Sequence, residues 1–312
     1  MPKIAFGFVG LVLLLLTLFL FPPIATAGDL GLCLPSPNLW HLRRFWAWLI
    51  NAAIIFLSAA VISSANKKYN FIPEAVGVAP YALILLLACN CICTGNLTAS
   101  VLLLICNAVS LFIIISTYEQ RNSTREFFII GTFLAFGAMV QYAFLVMIPV
   151  YIGSGLLMKS FRLREFIAFI FGLLAPYWIL MGLGVISPMD FQLPDSLTVI
   201  RRSAVEENIF LTLVATGIMA LMGFIISLYN TVRLFSRNSR LRCIHMSFNL
   251  MGYVAVLAVI FDFNNFVAYF ATIALWLAVE MAAMLYLYNI RRHQFALLLL
   301  LLIFLPLYIL AL

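Results

Sequence analysis

Charged residues are scarce in this sequence. Only 9% of its 312 residues are Asp, Glu, Lys or Arg, and 65% are hydrophobic, whereas soluble domains contain about 25% charged residues. No polar stretch is long enough to form a domain of its own, which excludes a nucleotide-binding or β-rich module. The net charge of +7 comes from short basic clusters between apolar segments. This pattern is typical of loops at an anionic membrane face and does not indicate a nucleic-acid partner.

Catalytic and cofactor motifs are also missing. The sequence has no Walker or dinucleotide-binding loop, no HExxH and no GxSxG, so the common nucleotide-dependent, zinc-dependent and serine-dependent enzymes are not indicated. Cys89, Cys91 and Cys93 alternate with other residues, but no histidine or carboxylate lies near them. In a helix Cys91 points away from the other two. We therefore predict neither a metal site nor a cofactor, and we interpret these cysteines as small packing residues.

Long apolar runs, by contrast, recur along the whole chain. Runs of about 18 or more apolar residues can cross a bilayer as helices. We therefore expect an all-α fold, a polytopic transmembrane helical bundle that forms a single domain over residues 1–312. We place this multi-pass protein in the bacterial inner membrane, as part of the cell envelope. The predicted spans are 4–21, 45–64, 77–94, 99–117, 127–140, 143–158, 166–187, 209–231, 246–262, 267–289 and 295–312.

The first run is either a membrane span or a signal peptide. Ile4–Phe21 is followed by Ala25–Gly28, which resembles a signal-peptidase site. A cleaved signal has an apolar core of about 7–15 residues, and this run is longer. We therefore favour a retained first helix within residues 1–27, with cleavage of that segment as the alternative.

The longest uncharged stretch runs from Phe127 to Met158. As one helix it would be about 48 Å long, and fitting it into a hydrocarbon layer of about 30 Å would need a tilt beyond the observed range of about 0–40°. Two short helices that meet near Gln141 would fit. The length alone therefore leaves a choice between one steep crossing and a hairpin of short helices.

The basic residues favour the hairpin at 127–158. With a cytoplasmic N-terminus and this hairpin, 14 of the 18 basic residues lie on the cytoplasmic side, whereas a single crossing leaves only 7 there. Because basic residues are enriched on the cytoplasmic side, we predict eleven spans, an outer tip near Gln141 and an extracytoplasmic C-terminus. The predicted cytoplasmic residues are Lys3, Lys67, Lys68, Arg121, Arg125, Lys159, Arg162, Arg164, Arg233, Arg237, Arg240, Arg242, Arg291 and Arg292.

Two arginine pairs run against this trend. Arg43/Arg44 and Arg201/Arg202 lie on the predicted outer side, and His41 lies beside the first pair. Because the guanidinium group binds phosphate in a bidentate manner, these residues are candidates for holding the phosphate of a membrane lipid or of a lipid carrier. The alternative is that they pair with acidic residues of the outer loops or extend to headgroups.

Glu280 is an acidic residue deep inside a predicted span, 13 positions after residue 267. An ionisable group at that depth costs several kcal/mol and is a functional candidate by default. If the preceding span returns from a turn near Asn264, Asn249 lies at a similar depth and could hydrogen-bond to it. Either the two side chains hold helices together as a protonated pair, or Glu280 belongs to a proton relay or a substrate path.

Part of the sequence resembles a known superfamily. The stretch Gly131–Tyr142, followed by Pro149 and the basic segment Lys159–Arg164, resembles a helical unit of C-type glycosyltransferases. These membrane enzymes use polyprenyl-phosphate-linked sugars. The resemblance implies a glycosyltransferase-like core over residues 28–190, C-terminal helices over 191–312, a polyprenyl-phosphate-linked sugar as substrate, and Asp29 as the catalytic acid or base.

The whole chain also resembles an uncharacterised family of bacterial polytopic inner-membrane proteins. The residues that carry this resemblance are Asn66–Tyr69, Ile72–Glu74 and Arg162–Phe166, with Gly172 and Pro176 after them. That family implies no activity.

Three functions remain open from the sequence. The first is an envelope protein that handles lipid-linked glycan at the extracytoplasmic face, as an active or degenerate glycosyltransferase-like core. The second is a non-catalytic scaffold or assembly subunit that holds other envelope membrane proteins. The third is a proton-coupled transporter that uses Glu280. The substitution Asp29→Asn separates the first two, because only an enzyme would lose activity.

Overall fold

The computed structural model describes residues 2–20, 32–35, 37–40, 42–72, 77–95, 97–187, 189, 191, 207–234, 238–288 and 293–310. This part of the chain is all-α, as predicted, and contains no β-strand. Its helices are α1 Pro2–Leu20, α2 Arg44–Tyr69, α3 Val78–Ala88, α4 Cys91–Gly95, α5 Ala99–Ser116, α6 Thr124–Val140, α7 Ala143–Val146, α8 Ile148–Leu157, α9 Leu163–Gly182, α10 Glu207–Leu234, α11 Ser239–Phe261, α12 Phe266–Leu287 and α13 His293–Leu310.

Six helical segments are long and apolar enough to cross a membrane, which indicates an integral membrane protein. They are Arg44–Tyr69, Ala99–Ser116, Leu163–Gly182, Phe210–Arg233, Ser239–Phe261 and Phe266–Leu287. Shorter apolar helices cover Phe6–Leu20, Val78–Ala88, Ala143–Leu157 and Gln294–Leu310. Each predicted span coincides with one helix or with two consecutive short helices, while the number of actual crossings stays a prediction.

Two helices, α2 and α11, extend at least five residues beyond their predicted spans. The second span was predicted to end near residue 64, but α2 continues to Tyr69. The ninth was predicted to begin near residue 246, but α11 begins at Ser239. The apolar run fixes only the part of a helix that lies in hydrocarbon, and the backbone hydrogen bonds continue into the polar residues beyond it. This correction brings His245 into a helix.

The chain doubles back at Gln141. This residue is extended, with φ −155° and ψ 122°, and it ends α6. The ring of Phe144 then packs against Gly137, where a Cβ would lie 2.0 Å from the ring. The hydroxyl of Ser123, before α6, donates to the carbonyl of Ser160, after α8, at 3.0 Å. Because the two ends of the segment lie side by side, a single continuous helix over 127–158 is excluded.

Helix α12 lies in the centre of the bundle. It packs against α3, α5, α10 and α11, and every side chain from Ala268 to Ala283 is buried. The indole of Trp276 lies against Gly223 of α10 and Gly252 of α11, where a Cβ would come within 2.8 and 2.0 Å of the ring. These two glycines therefore allow α10 and α11 to approach α12 closely, as small residues do in membrane helix packing.

The pair formed by α6 and α9 lies at the periphery. A Cβ on Gly131 would lie 2.4 Å from the carbonyl oxygen of Phe169, and one on Gly172 would lie 2.2 Å from that of Phe128. The two backbones are thus in direct contact at their crossing point. The opposite side of α9 is open, with Trp178 81% exposed.

The segments predicted to face outwards meet at one end of the bundle. The backbone N–H of Leu34 donates to the carbonyl of Met139 at 3.0 Å. The hydroxyl of Tyr142 donates to the carboxylate of Asp262. These contacts join the first outer loop, the tip of the hairpin and the turn between α11 and α12. We call this the Asp262 end.

The segments predicted to face the cytoplasm meet at the opposite end. Tyr118 and Ser239 are hydrogen-bonded through their hydroxyls at 2.8 Å, and Thr117 and Ser160 are bonded in the same way at 2.9 Å. Most described basic residues lie here, and we therefore call it the basic end. They are Lys67, Lys68, Arg121, Arg125, Lys159, Arg162, Arg164, Arg233, Arg240 and Arg242. The grouping agrees with the predicted alternation of spans, and the orientation in the membrane stays a prediction.

Candidate functional site

Glu280 lies in a fully buried polar site formed by three helices. It is seven residues before the end of α12 at Leu287, and its side chain has no exposed surface. From α10, the amide nitrogen of Asn230 donates to Glu280 Oε2 at 2.7 Å and to the Glu280 backbone carbonyl at 2.8 Å. From α11, Nδ1 of His245 lies 3.3 Å from Glu280 Oε1. The site therefore combines a carboxyl, an imidazole and an amide.

The contact between the carboxyl and the imidazole is buried on both sides. His245 is 1% exposed, so neither group of the pair contacts solvent. A hydrogen bond between an imidazole and a carboxyl has three forms: a neutral imidazole that donates to a carboxylate, an imidazolium that donates to a carboxylate, and an imidazole that accepts from a carboxylic acid. An isolated carboxylate would be costly at such a position. The hydrogen bonds from Asn230 and the contact with His245 lower that cost.

Asn230 contributes an acceptor that nothing in the described chain satisfies. Its amide nitrogen makes two hydrogen bonds to Glu280, while its Oδ1 is buried and has no partner among the described residues. An unpaired buried carbonyl costs about 1–3 kcal/mol and needs an explanation. Oδ1 lies beside the carboxyl, where a protonated group or a water molecule would satisfy it.

The turn after α2 closes this site at the basic end. Asn70 ends α2 in the left-handed conformation, with φ 50°. The side chain of Asn66 fixes the turn, because its Nδ2 donates to the carbonyl of Ile72 at 2.9 Å and its Oδ1 accepts from the Ile72 N–H at 2.8 Å. The buried ring of Phe71 is thereby placed against His245, with ring centroids 6.3 Å apart. The pair is thus covered by an aromatic ring close to the end of the bundle.

The structure corrects the predicted partner of Glu280. Asn249 lies on α11 as expected, but its Oδ1 accepts a hydrogen bond from Trp276 Nε1 at 2.9 Å. The antiparallel register pairs position 276 with 249 and position 280 with 245. The prediction was therefore wrong by one helical turn. His245 was missed because the predicted span began at residue 246.

The role of Asn230 was not evident from the sequence. Its position four residues before the end of α10, at Leu234, gives no signal for a contact with α12. A signal for His245 does exist. It lies four residues before Asn249, so both side chains share one face of any continuous helix.

Polar side chains continue along the same face of α12. Asn107 on α5 donates to the hydroxyl of Thr272 at 2.9 Å, and the hydroxyl of Tyr151 on α8 donates to Asn107. At about 100° per residue, positions 269, 272, 276 and 280 fall within about 80° of arc. Trp276 lies between Thr272 and Glu280. The Glu280 pair is therefore separated from this second polar group and lies nearer the basic end.

A second carboxyl belongs to the Asp262 end. Asp262 accepts hydrogen bonds from Tyr142 at 2.5 Å, from Asn265 at 3.0 Å and from Tyr269 at 3.1 Å. All three donors are neutral side chains. The cluster ties the tip of the hairpin to the turn between α11 and α12, a role that the sequence did not reveal.

The residues predicted to bind phosphate are not brought together in the described part. Arg43 is exposed. Arg44 donates from Nη2 to the carbonyl of Thr17 at 3.0 Å and thereby supplies a hydrogen-bond donor to a backbone carbonyl in the last turn of α1. The remaining candidates, Asp29, His41, Arg201 and Arg202, lie outside the described residues. Their predicted roles therefore stay predictions.

The fold and this site define an α-helical membrane protein with a buried carboxyl–imidazole pair. No family model, no curated protein and no solved structure matches the chain. The resemblance to C-type glycosyltransferases and to a family of inner-membrane proteins accordingly stays a prediction. Among the described residues, no group of three or more His, Cys, Asp or Glu side chains could hold a metal ion.

Proposed function

We propose that the protein is a proton-coupled membrane transporter in which Glu280 and His245 form the protonatable site. The observation that supports this proposal is that a carboxyl with no exposed surface has an imidazole 3.3 Å away. Intramembrane Asp, Glu and His side chains mark proton relays in pumps and transporters. Free imidazole also changes its charge near neutral pH. The pair therefore has the chemical groups that uptake and release of a proton require.

The composition of the site favours a proton over a metal cation. Hard cations such as Ca²⁺ and Mg²⁺ take oxygen ligands, and an imidazole nitrogen occupies one side of the Glu280 carboxyl. A proton can reside on either member of the pair. The unpaired Asn230 Oδ1 supplies an acceptor for the protonated form or for a water molecule that carries the proton.

The alternative is that the three side chains only hold α10, α11 and α12 together. In that case Glu280 would keep one protonation state, and glutamine would replace it without loss because it preserves the shape and the acceptor oxygen. A proton-exchanging carboxyl has no such substitute. The two functions therefore differ in their response to Glu280→Gln.

Infrared difference spectroscopy tests this directly and does not require knowledge of the substrate. Spectra of the purified protein in liposomes are compared between about pH 5 and about pH 8, the range in which imidazole titrates. We expect a carboxyl C=O band that changes with pH in the wild type and is absent in Glu280→Gln. The control variant Asp262→Asn should retain that band, and both variants should elute as folded protein.

Identical pH difference spectra for the wild type and Glu280→Gln would overturn the proposal. They would show that the carboxyl does not exchange protons in this range, as expected of a structural pair. If the band is lost as expected, voltage-driven proton uptake into proteoliposomes should also fall in Glu280→Gln and remain in Asp262→Asn.

Two other functions stay predictions. Handling of lipid-linked glycan depends on Asp29 and on the outer arginines, and the scaffold function depends on partners in the envelope. The bacterial inner membrane as the location, with the N-terminus in the cytoplasm, rests on the charge pattern of the sequence. Loss of a transferase activity in Asp29→Asn would support the first function over the proton-coupled one.

A further inference from the structure

The basic end contains a cationic cluster that the Glu280 site does not use. Two cations lie over the ring of Tyr69: Lys68 Nζ is 5.3 Å and the guanidinium carbon of Arg240 is 5.2 Å from its centroid. Lys68 also lies 5.7 Å from the ring of Phe112, and Arg240 lies 5.6 Å from that of Tyr118. Aromatic faces attract each cation, but two like charges around one ring repel each other.

The described chain supplies no carboxylate to offset this repulsion. At the basic end, the described part has one ion pair between a carboxylate and a lysine or arginine, formed by Glu119 and Lys159 at 3.6 Å. Neither Lys68 nor Arg240 has such a partner within the described ranges. The cluster therefore carries a positive charge that nothing in the described part of the fold neutralises.

Two hydrogen-bond donors in the cluster have no acceptor among the described residues. Arg240 Nε and the hydroxyl oxygen of Tyr69 are buried and without a hydrogen-bond partner among the residues that the structure describes. Arg240 lies in the first turn of α11, whose N-terminus at Asn238 has no side-chain cap. The first backbone N–H groups of a helix also lack intrahelical acceptors and favour anions. Cationic, hydroxyl and backbone donors thus coincide in one place.

We propose that Lys68, Tyr69, Tyr118 and Arg240 bind a phosphate group at the basic end. A phosphate supplies several acceptor oxygens and negative charge, and the planar guanidinium group suits it. The group belongs either to the headgroup of an anionic phospholipid or to a soluble phosphorylated molecule. The position at the ends of α2 and α11, beside the apolar helices, is the depth at which headgroups lie.

Binding of phosphatidylglycerol to the delipidated protein in detergent tests the proposal. The variant Lys68→Gln/Arg240→Gln removes both cations of the cluster. The matched control, Lys67→Gln/Arg164→Gln, removes the same charge from two exposed side chains at the same end. We expect about tenfold or greater weakening of binding in the first variant and less than about twofold in the control, because a hydrogen bond to a charged group contributes more than a general surface charge.

Two further measurements separate the possible ligands. Binding that inorganic phosphate displaces identifies a site for the phosphate group itself, whereas binding that phosphate leaves unchanged, and that phosphatidylcholine does not reproduce, identifies the anionic lipid. Either result supports the proposal. Equal weakening in the variant and the control, or no weakening in either, would overturn it, because the interaction would then be a general surface attraction.

A single, milder substitution keeps the proposal testable if the double variant does not fold. Tyr69→Phe removes only the unpaired hydroxyl and keeps the ring between the cations, and we expect about two- to fivefold weaker binding. Unchanged affinity in Tyr69→Phe together with an unfolded double variant would count against the proposal. The pH-dependent carboxyl band of Glu280 should be present in all of these variants, so this inference and the proposed function fail independently.

Discussion

Glu280 lies in the C-terminal half of α12, and Asp262 lies in the turn just before the N-terminus of that helix. The surroundings of these two carboxyls differ in kind. Asp262 is half-buried and accepts hydrogen bonds from three neutral donors. Glu280 is fully buried, and one of its two partners is itself an acid–base group. Asp262 is thus held as a satisfied acceptor, whereas Glu280 has a partner that can exchange a proton with it. The chemistry of the partner, more than burial, therefore distinguishes a structural carboxyl from a candidate site.

The largest effect is expected from His245→Leu, which leaves the buried Glu280 without its acid–base partner. Removal of one member of a buried hydrogen-bonded pair leaves the other without its partner, and the cost reaches about 3–5 kcal/mol where the pair is charged. We expect a loss of this size in the free energy of unfolding, measured by denaturant titration in mixed micelles. In the Glu280→Gln background the same substitution should cost much less. Equal losses in both backgrounds would show that the two side chains are not coupled.

A smaller loss is expected from Tyr142→Phe at the Asp262 end. This substitution removes one donor to the carboxylate, and a hydrogen bond to a charged group contributes about 1.5–3 kcal/mol. The tip of the hairpin should then exchange its backbone hydrogens faster, as measured by mass spectrometry on residues 141–147. The pH-dependent band of Glu280 should be unaffected. A change in that band would show that the two carboxyls are coupled, and Asp262 would then not be a purely structural carboxyl.

The smallest of the three effects is expected from Gly252→Ala, which tests whether the Glu280 pair depends on the close approach of α11 to α12. A Cβ at this position would lie 2.0 Å from the Trp276 ring, and overpacking of this kind costs about 1–3 kcal/mol. Gly217→Ala on α10 is the control, because a Cβ there meets nothing within 4 Å. We expect lower stability in the first variant only. Equal stability of the two variants would show that α11 can shift without loss.

Much of the architecture can be predicted from two patterns in the sequence, the length of the apolar runs and the distribution of basic residues. Apolar run length predicts the helices, and the charge asymmetry predicts a doubling back at Gln141, where the structure has an extended residue. Glu280 is recognisable because a carboxyl is rare in an apolar run. These features depend on the free energy of transfer of single segments from water to hydrocarbon. That free energy is set by the residues of the segment itself, so it can be judged from the sequence.

The partners of Glu280 depend on helix register, which is not local. Asn249 was predicted as the partner because it lies at a similar depth. The actual register differs by one helical turn, so that Asn249 bonds to Trp276 and His245 contacts the Glu280 carboxyl. The register is fixed by the fit of the Trp276 indole against Gly223 and Gly252. Hydropathy carries no information about such a fit. The clustering of Lys68 and Arg240 around Tyr69 was missed for the same reason.

The left-handed residue Asn70 lies between the cationic cluster and the Glu280 site. It separates Tyr69, whose ring lies between the cations, from Phe71, whose ring covers His245. Asn66 fixes the turn on its other side, so this short segment positions both aromatic rings. A substitution that forces Asn70 out of the left-handed conformation is therefore expected to displace both rings together.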